Sequence, residues 1–131
     1  MASIFSKIAS RDIPGQFVAE DDNFFAILDI NPLSKGHVLV IPKMEVDYIY
    51  DLPDTVLSDY FLFSKRVAKA IEASVSCERV GVAVVGLEVP HAHIHLIPIN
   101  SVSDMDFGRP KLQLTNDELA ALAATIAGNF T

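Results

Sequence analysis

The sequence predicts an α+β domain: a mainly antiparallel sheet of about five strands, one long helix, and short helices near both ends. Three observations predict it. Short runs of apolar or alternating residues, at 16–20, 24–29, 37–42, 79–85 and 90–98, are set off by turn-forming residues. One longer stretch after Pro53 repeats its apolar residues at helical spacing. Thr115-Asn116-Asp117-Glu118 has the pattern of a capping box that opens a helix.

Taken in order, Ser3–Ala9 reads as a short helical turn. Ser3 caps it, and Ile4, Phe5 and Ile8 lie on one side. Arg11 to Gly15 turns the chain, and 16–20 is a first strand. Asp21-Asp22-Asn23 is a hairpin signal. In the second strand, Phe25, Ile27 and Asp29 share one face while Phe24, Ala26 and Leu28 share the other. After a loop at 31–36, His37 stands at the entrance of a continuously apolar strand ending at Pro42, which predicts burial on both faces. Tyr48–Leu52 is a short turn. The long helix then presents Val56, Tyr60, Phe63, Val67, Ala70 and Ile71 on one face, for which core packing is reason enough. Arg79–Val85 is another apolar strand, and consecutive strands are expected to pair antiparallel. Residues 100–113 are irregular. The last helix carries Leu119, Leu122, Ala123 and Ile126, with Gly128 suited to its end. No linker is apparent, so one domain covers 1–131, with its core at 3–98 and a C-terminal extension at 99–131.

Composition excludes several functions. The formal net charge is −7, which disfavours nucleic acid or an anionic membrane as partner but leaves room for a small phosphorylated ligand. Cys77 is the only cysteine, so no intrachain disulfide is expected and a reducing cytosol is the natural compartment. The start has no apolar leader region, and no run is long enough to span a membrane.

The chemistry is concentrated in Pro90-His91-Ala92-His93-Ile94-His95-Leu96-Ile97-Pro98. Three of the chain's four histidines alternate with small or apolar residues. On a strand the three imidazoles share one face and Ala92, Ile94 and Leu96 the other. Such a face suits three chemistries. The first is phosphoryl or nucleotidyl transfer, in which a neutral imidazole attacks phosphorus and positive charge on His91 or His95 stabilises the developing charge. The second is a metal-dependent hydrolase using His37, Glu88 and triad histidines. The third is a nucleotide-binding module with little turnover. Spacing alone does not rank the first two.

The stretch His91–Ile97 matches the His-x-His-x-His-apolar-apolar signature of the histidine triad (HIT) superfamily. Ile4-Phe5-Ser6-Lys7-Ile8, Asp12-Ile13-Pro14, Glu20-Asp21-Asp22, Asp29-Ile30-Asn31-Pro32 and Gly36–Lys43 resemble its nucleotide-binding branch in the same order, so the likeness runs from Ser3 to Pro98. The resemblance implies a HIT-like sheet paired across a homodimer. It implies hydrolysis or transfer at the α-phosphate of a purine nucleoside phosphoramidate or related conjugate, through a nucleotidyl-histidine intermediate and with no metal or other cofactor. His93 matches the nucleophile, His91 and His95 its flanking partners, and His37 the fourth histidine, at the cluster's periphery. Asp29 matches the carboxylate that holds the ribose hydroxyls; Phe5, Ile8, Ile27 and Ile30 match the apolar slot for the base. One carboxylate does suit a ribose diol, and an apolar slot suits a purine. Plain core packing also fits each apolar residue, and a strand-end turn also fits Asp29.

The chain departs from that pattern ahead of the triad. Where many members have Asn-x-Gly and then Gly-Gln-Ser/Thr, it has Val82-Ala83-Val84-Val85 and Gly86-Leu87-Glu88. Glu88 thus stands where a phosphate-contacting hydroxyl is expected. Two like charges about 4 Å apart repel by roughly 4 kcal/mol at an effective dielectric near 20. Glu88 therefore turns away, shares a cation with the phosphate, or faces a cationic leaving group.

Overall fold

The computed structural model describes residues 2–131. Its elements are α1 (Ile4–Ala9), β1 (Phe17–Glu20), β2 (Phe24–Leu28), β3 (Val38–Pro42), a 3-10 turn at Ile49–Asp51, α2 (Asp54–Ser74), β4 (Arg79–Ala83), β5 (Ile94–Ile99), a second 3-10 turn at Val102–Met105, and α3 (Asn116–Asn129). The five strands form one antiparallel sheet in the order β1-β2-β3-β5-β4. This is the expected α+β architecture. Consecutive pairing holds for β1–β2–β3 and for β4–β5. It fails between β3 and β4, because the crossover through α2 leaves the position beside β3 to β5.

The alternation along β2 and β3 sends side chains into two cores. Phe24, Ala26, Leu28, Val38 and Val40 join the main core, with Tyr60, Phe63, Val67, Ala70 and Ile71 of α2. Residues 99–131, read as an extension, also supply that core, through Leu119, Leu122, Ala123 and Ile126 of α3. On the opposite face Phe25, Ile27, Leu39 and Ile41 form a smaller core with Phe5 and Ile8 of α1. Full burial of each large apolar side chain is worth about 1.5–3 kcal/mol, so α1 is held chiefly by Phe5 and Ile8.

Local chemistry sets the boundaries. The Ser3 hydroxyl caps α1 by accepting from Ser6 N–H, and the Thr115–Glu118 capping box opens α3. Gly128 does not end α3, which runs on to Asn129; Phe130, packed against Phe63 at 5.6 Å, pins the final turn. Gly36 has φ +99°, and a Cβ there would come within about 3 Å of Val75 and Pro98, so a glycine is required just before His37.

The largest local departure lies at the histidines. The regular strand begins at Ile94, not at His91. Pro90 has no N–H to give a ladder, His91 N–H bonds back to Val89 O, and Ala92 N–H bonds to Val46 O outside the sheet. His91 and His93 therefore lie in an irregular lead-in, and only His95 sits in β5. Likewise β4 ends at Ala83, the partner of His95, and is half-exposed rather than an apolar core strand.

Candidate active site

Two chain segments converge at one end of β3 and β5. The loop from β2 to β3 is closed by Asp29 N–H on His37 O at 3.0 Å, and Ser34 Oγ–H bonds to Pro98 O at 2.8 Å. This brings Asp29, His37 and His95 together.

His37 is 2% exposed. Its Nδ1 accepts the Leu33 N–H at 3.0 Å, so the neutral ring carries its proton on Nε2. That N–H faces His95 Nδ1 at 2.9 Å and Asp29 Oδ2 at 3.5 Å. His95 Nδ1 then accepts, and His95 presents an Nε2–H donor. Burial, reinforced by charge on His95 and Lys111, holds the His37 pKa down to about 3. Burial and then His93 hold His95 down to about 4. Burial pushes the Asp29 carboxyl up, opposed by the Asn31 N–H that it accepts. Burial lowers His91 as well, so in the free protein the surroundings oppose the positive charge expected from the sequence on His91 or His95.

His93 lies beside this pair, its ring 5.1 Å from that of His95 and 5.0 Å from that of Phe5. Its Nδ1–H donates to the His91 carbonyl at 2.8 Å, which leaves the lone pair on Nε2. Among the described residues no side chain or backbone group bonds to that nitrogen. His91 does not share the open face. It is fully buried, its Nε2–H donates to Pro42 O at 2.7 Å, and its Nδ1 accepts from the Ser3 hydroxyl at 2.6 Å. Both ring nitrogens are occupied within the protein, so His91 reaches the site only through its carbonyl.

Phe5, Ile8 and Ile27 are buried in the smaller core, with the Phe5 ring edge-on to His91 and His93. Ile30, the fourth residue expected in the apolar slot, is 68% exposed. Glu88 is exposed and adds negative potential at Asp29. A cleft of about 250 Å3 opens on His93, with Asp47, Tyr48, Tyr50, Val85 and Leu87 among its walls.

Sequence reasoning missed Phe107 and Lys111. The Phe107 ring lies 4.9 Å from His95 and 6.5 Å from His37. Lys111 Nζ donates to the Phe107 and Arg109 carbonyls, and its charge is felt at His37 and Asp29. The only signal was an aromatic in an irregular stretch, Asp104-Met105-Asp106-Phe107-Gly108.

Asp29, His37 and His95 each offer an atom within 4.8 Å of the others, the spacing of a metal site. The donor set does not fit a cation. Leu33 N–H already occupies His37 Nδ1, so the atom turned towards Asp29 and His95 is a proton donor. Glu88, the other ligand of the metal reading, is not in this cluster.

The HIT domain family model matches residues 10–102 of the chain. An adenosine 5′-monophosphoramidase of Schizosaccharomyces pombe is 35% identical over 132 residues, covering 99% of each chain. An adenosine 5′-monophosphoramidase of Saccharomyces cerevisiae is 35% identical over 123 residues, covering 92% of this chain and 78% of the relative. The crystal structure of a Hit-like protein from Bartonella henselae superposes with a TM-score of 0.83 at 27% identity, covering 98% of this chain and 96% of the other.

Proposed function

The chain belongs to the histidine triad (HIT) family, and from that premise we propose that it is a nucleotide hydrolase or transferase acting at the α-phosphate of a purine nucleoside phosphoramidate or related conjugate, through a nucleotidyl group carried on His93. The observation that carries this reading is the His93 ring: its Nδ1–H is committed to the His91 carbonyl, leaving Nε2 free to attack. Attack forms the bond from Nε2 to phosphorus and breaks the bond to the leaving nitrogen, which takes up a proton as it departs. Water then cleaves the bond to His93. The Nε2–H of His95 is suited to hold a phosphate oxygen, and a bound phosphate raises the pKa of the histidines facing it. The adenosine 5′-monophosphoramidases at 35% identity support the substrate class. The acidic Asp47 at the cleft and the exposed Glu88 favour a neutral or cationic leaving group over a polyphosphate.

Asp29 is the ribose carboxylate in this reading. Nucleoside 5′-monophosphates bind in the micromolar to millimolar range of a substrate pocket. Asp29→Ala weakens ribonucleotides about tenfold, from the loss of hydrogen bonds to a charged acceptor, and weakens 2′,3′-dideoxy analogues less. Calorimetric titration of both reads this; equal weakening removes Asp29 from the role.

The working unit is a homodimer. Among the described residues, β4 is a sheet edge, and Val82 on it and Phe61 of α2 line one apolar groove, 55% and 46% exposed. A second copy covers that edge and its apolar flank. Light scattering at micromolar concentration gives twice the 14.3 kDa chain mass; a monomer mass counts against the pairing. The cytosol is the compartment that fits the single cysteine, Cys77.

A further inference from the structure

We infer that Ser3 and Glu45, outside the triad, are positioning residues that hold His93 in its reactive orientation; this rests on His93 as the nucleophile. Glu45 Oε1 accepts two donors from the N-terminal helix, Ser3 N–H at 2.7 Å and Ser6 Oγ–H at 2.6 Å. Ser3 Oγ accepts Ser6 N–H at 3.0 Å as the cap of α1, and its single proton then goes to His91 Nδ1 at 2.6 Å. His91, held also by Pro42 O at 2.7 Å, is locked in the Nε2–H form, and its own carbonyl takes the Nδ1–H of His93. The order of dependence is Glu45, Ser3, His91, His93. Ser3 Oγ also lies 3.4 Å from Ser6 Oγ, a longer contact than that to His91 Nδ1; the His91 ring has a partner on each nitrogen and cannot flip without stranding a buried polar atom.

A second contact runs in parallel. Phe5, two residues after Ser3, stands edge-on to His91 at 5.8 Å and to His93 at 5.0 Å. Six residues of helix do not hold themselves in water. The exposed Glu45 carboxylate, by accepting from Ser3 N–H and Ser6 Oγ–H, adds a tie to the first turn of the helix that carries Phe5, beside the burial of Phe5 and Ile8.

The test compares Ser3→Ala, Ser3→Thr and Glu45→Ala with the wild type. Adenosine 5′-phosphoramidate is the substrate, and histidine ring tautomers are read by 15N NMR. Ser3→Ala removes the donor to His91 and is expected to lower kcat on the order of tenfold, with KM nearly unchanged and a mixed His91 tautomer. Ser3→Thr keeps hydroxyl and cap and restores both readouts. Glu45→Ala, a surface truncation that leaves the two cores intact, lowers kcat in the same direction. The inference is overturned if Ser3→Ala keeps full kcat, if Thr is as impaired as Ala, or if both rings keep their tautomers in Ser3→Ala. A wild type that does not turn over the phosphoramidate overturns the functional reading instead, and the tautomer comparison alone then decides the positioning.

Discussion

His93→Ala abolishes turnover while nucleotide binding persists. The ring is the only imidazole of the four whose unpartnered nitrogen, among the described residues, carries a lone pair, so on the proposed reading no neighbour can replace it as nucleophile. His91 has both nitrogens engaged, His37 directs its N–H to His95, and His95 presents a donor. Removal of a nucleophile from a working group costs at least about 1000-fold in kcat. On the proposed reading binding survives because Asp29, held by Asn31 N–H, and Ile30 make no bond to the ring. His93→Gly recovers part of the rate when imidazole is added, since the cavity left beside Phe5 and His95 admits the free base. His37→Ala costs more than its sequence position at the periphery suggests, because His37 fixes the tautomer of His95. Steady-state rates with and without a chelator separate this from a metal-dependent site. Near-normal turnover in His93→Ala, or activity lost to chelator and restored by zinc, sinks the nucleophile assignment.

The fold was legible because its signals are local. The period-2 alternation of β2 assigned Phe24, Ala26 and Leu28 to one core and Phe25 and Ile27 to the other, as they fall in the structure. The capping chemistry of Ser3 and Thr115 marked both terminal helices. The histidine spacing marked the site but misassigned its geometry. Alternation puts three rings on one face only if the strand is regular, and Pro90 together with the His91–Val89 hydrogen bond delays the ladder to Ile94. What the sequence hid is non-local. Phe107 meets His95 across the sheet end, and Glu45 meets Ser3 at a separation of 42 residues. Neither sits in a periodic pattern, and a lone aromatic or glutamate in a loop has no spacing to betray its partner. Phe5, Ile8 and Ile27 lie in the smaller core, as plain core packing predicts, and an apolar residue carries no mark in the sequence that separates a packing role from a ligand contact.

Acid weakens the protein before its carboxylates titrate. His37 and His95 are neutral in the folded state, with pKa values depressed to about 3 and about 4, against an unfolded value of about 6.5. Below that unfolded value the unfolded chain binds protons that the folded chain refuses, so the unfolded state gains. The stability these two rings allow is fully present above pH 6.5 and is lost as pH falls towards 4. At 1.36 kcal/mol per pH unit, each ring costs about 2 kcal/mol by pH 5, or about 4 kcal/mol together. His91, also lowered by burial, adds in the same direction. Asp29 acts oppositely, because its raised carboxyl is relieved by protonation, but only nearer its own range. Glu20, held at a pKa of about 2 by Arg11 and Lys43, and Glu45, held there by its serine donors, add their losses as pH falls from their ordinary value of 4.5 towards 2, overlapping only the acid end of the histidine window. Urea unfolding at pH 7.5 and at pH 5 therefore shows a loss that is a large fraction of a small domain's total stability. His37→Gln, which keeps a polar side chain in the same space, flattens the dependence by about half. A stability constant between pH 7.5 and pH 5, or an equal slope in the variant, means that the His37–His95 pair is not held neutral by burial.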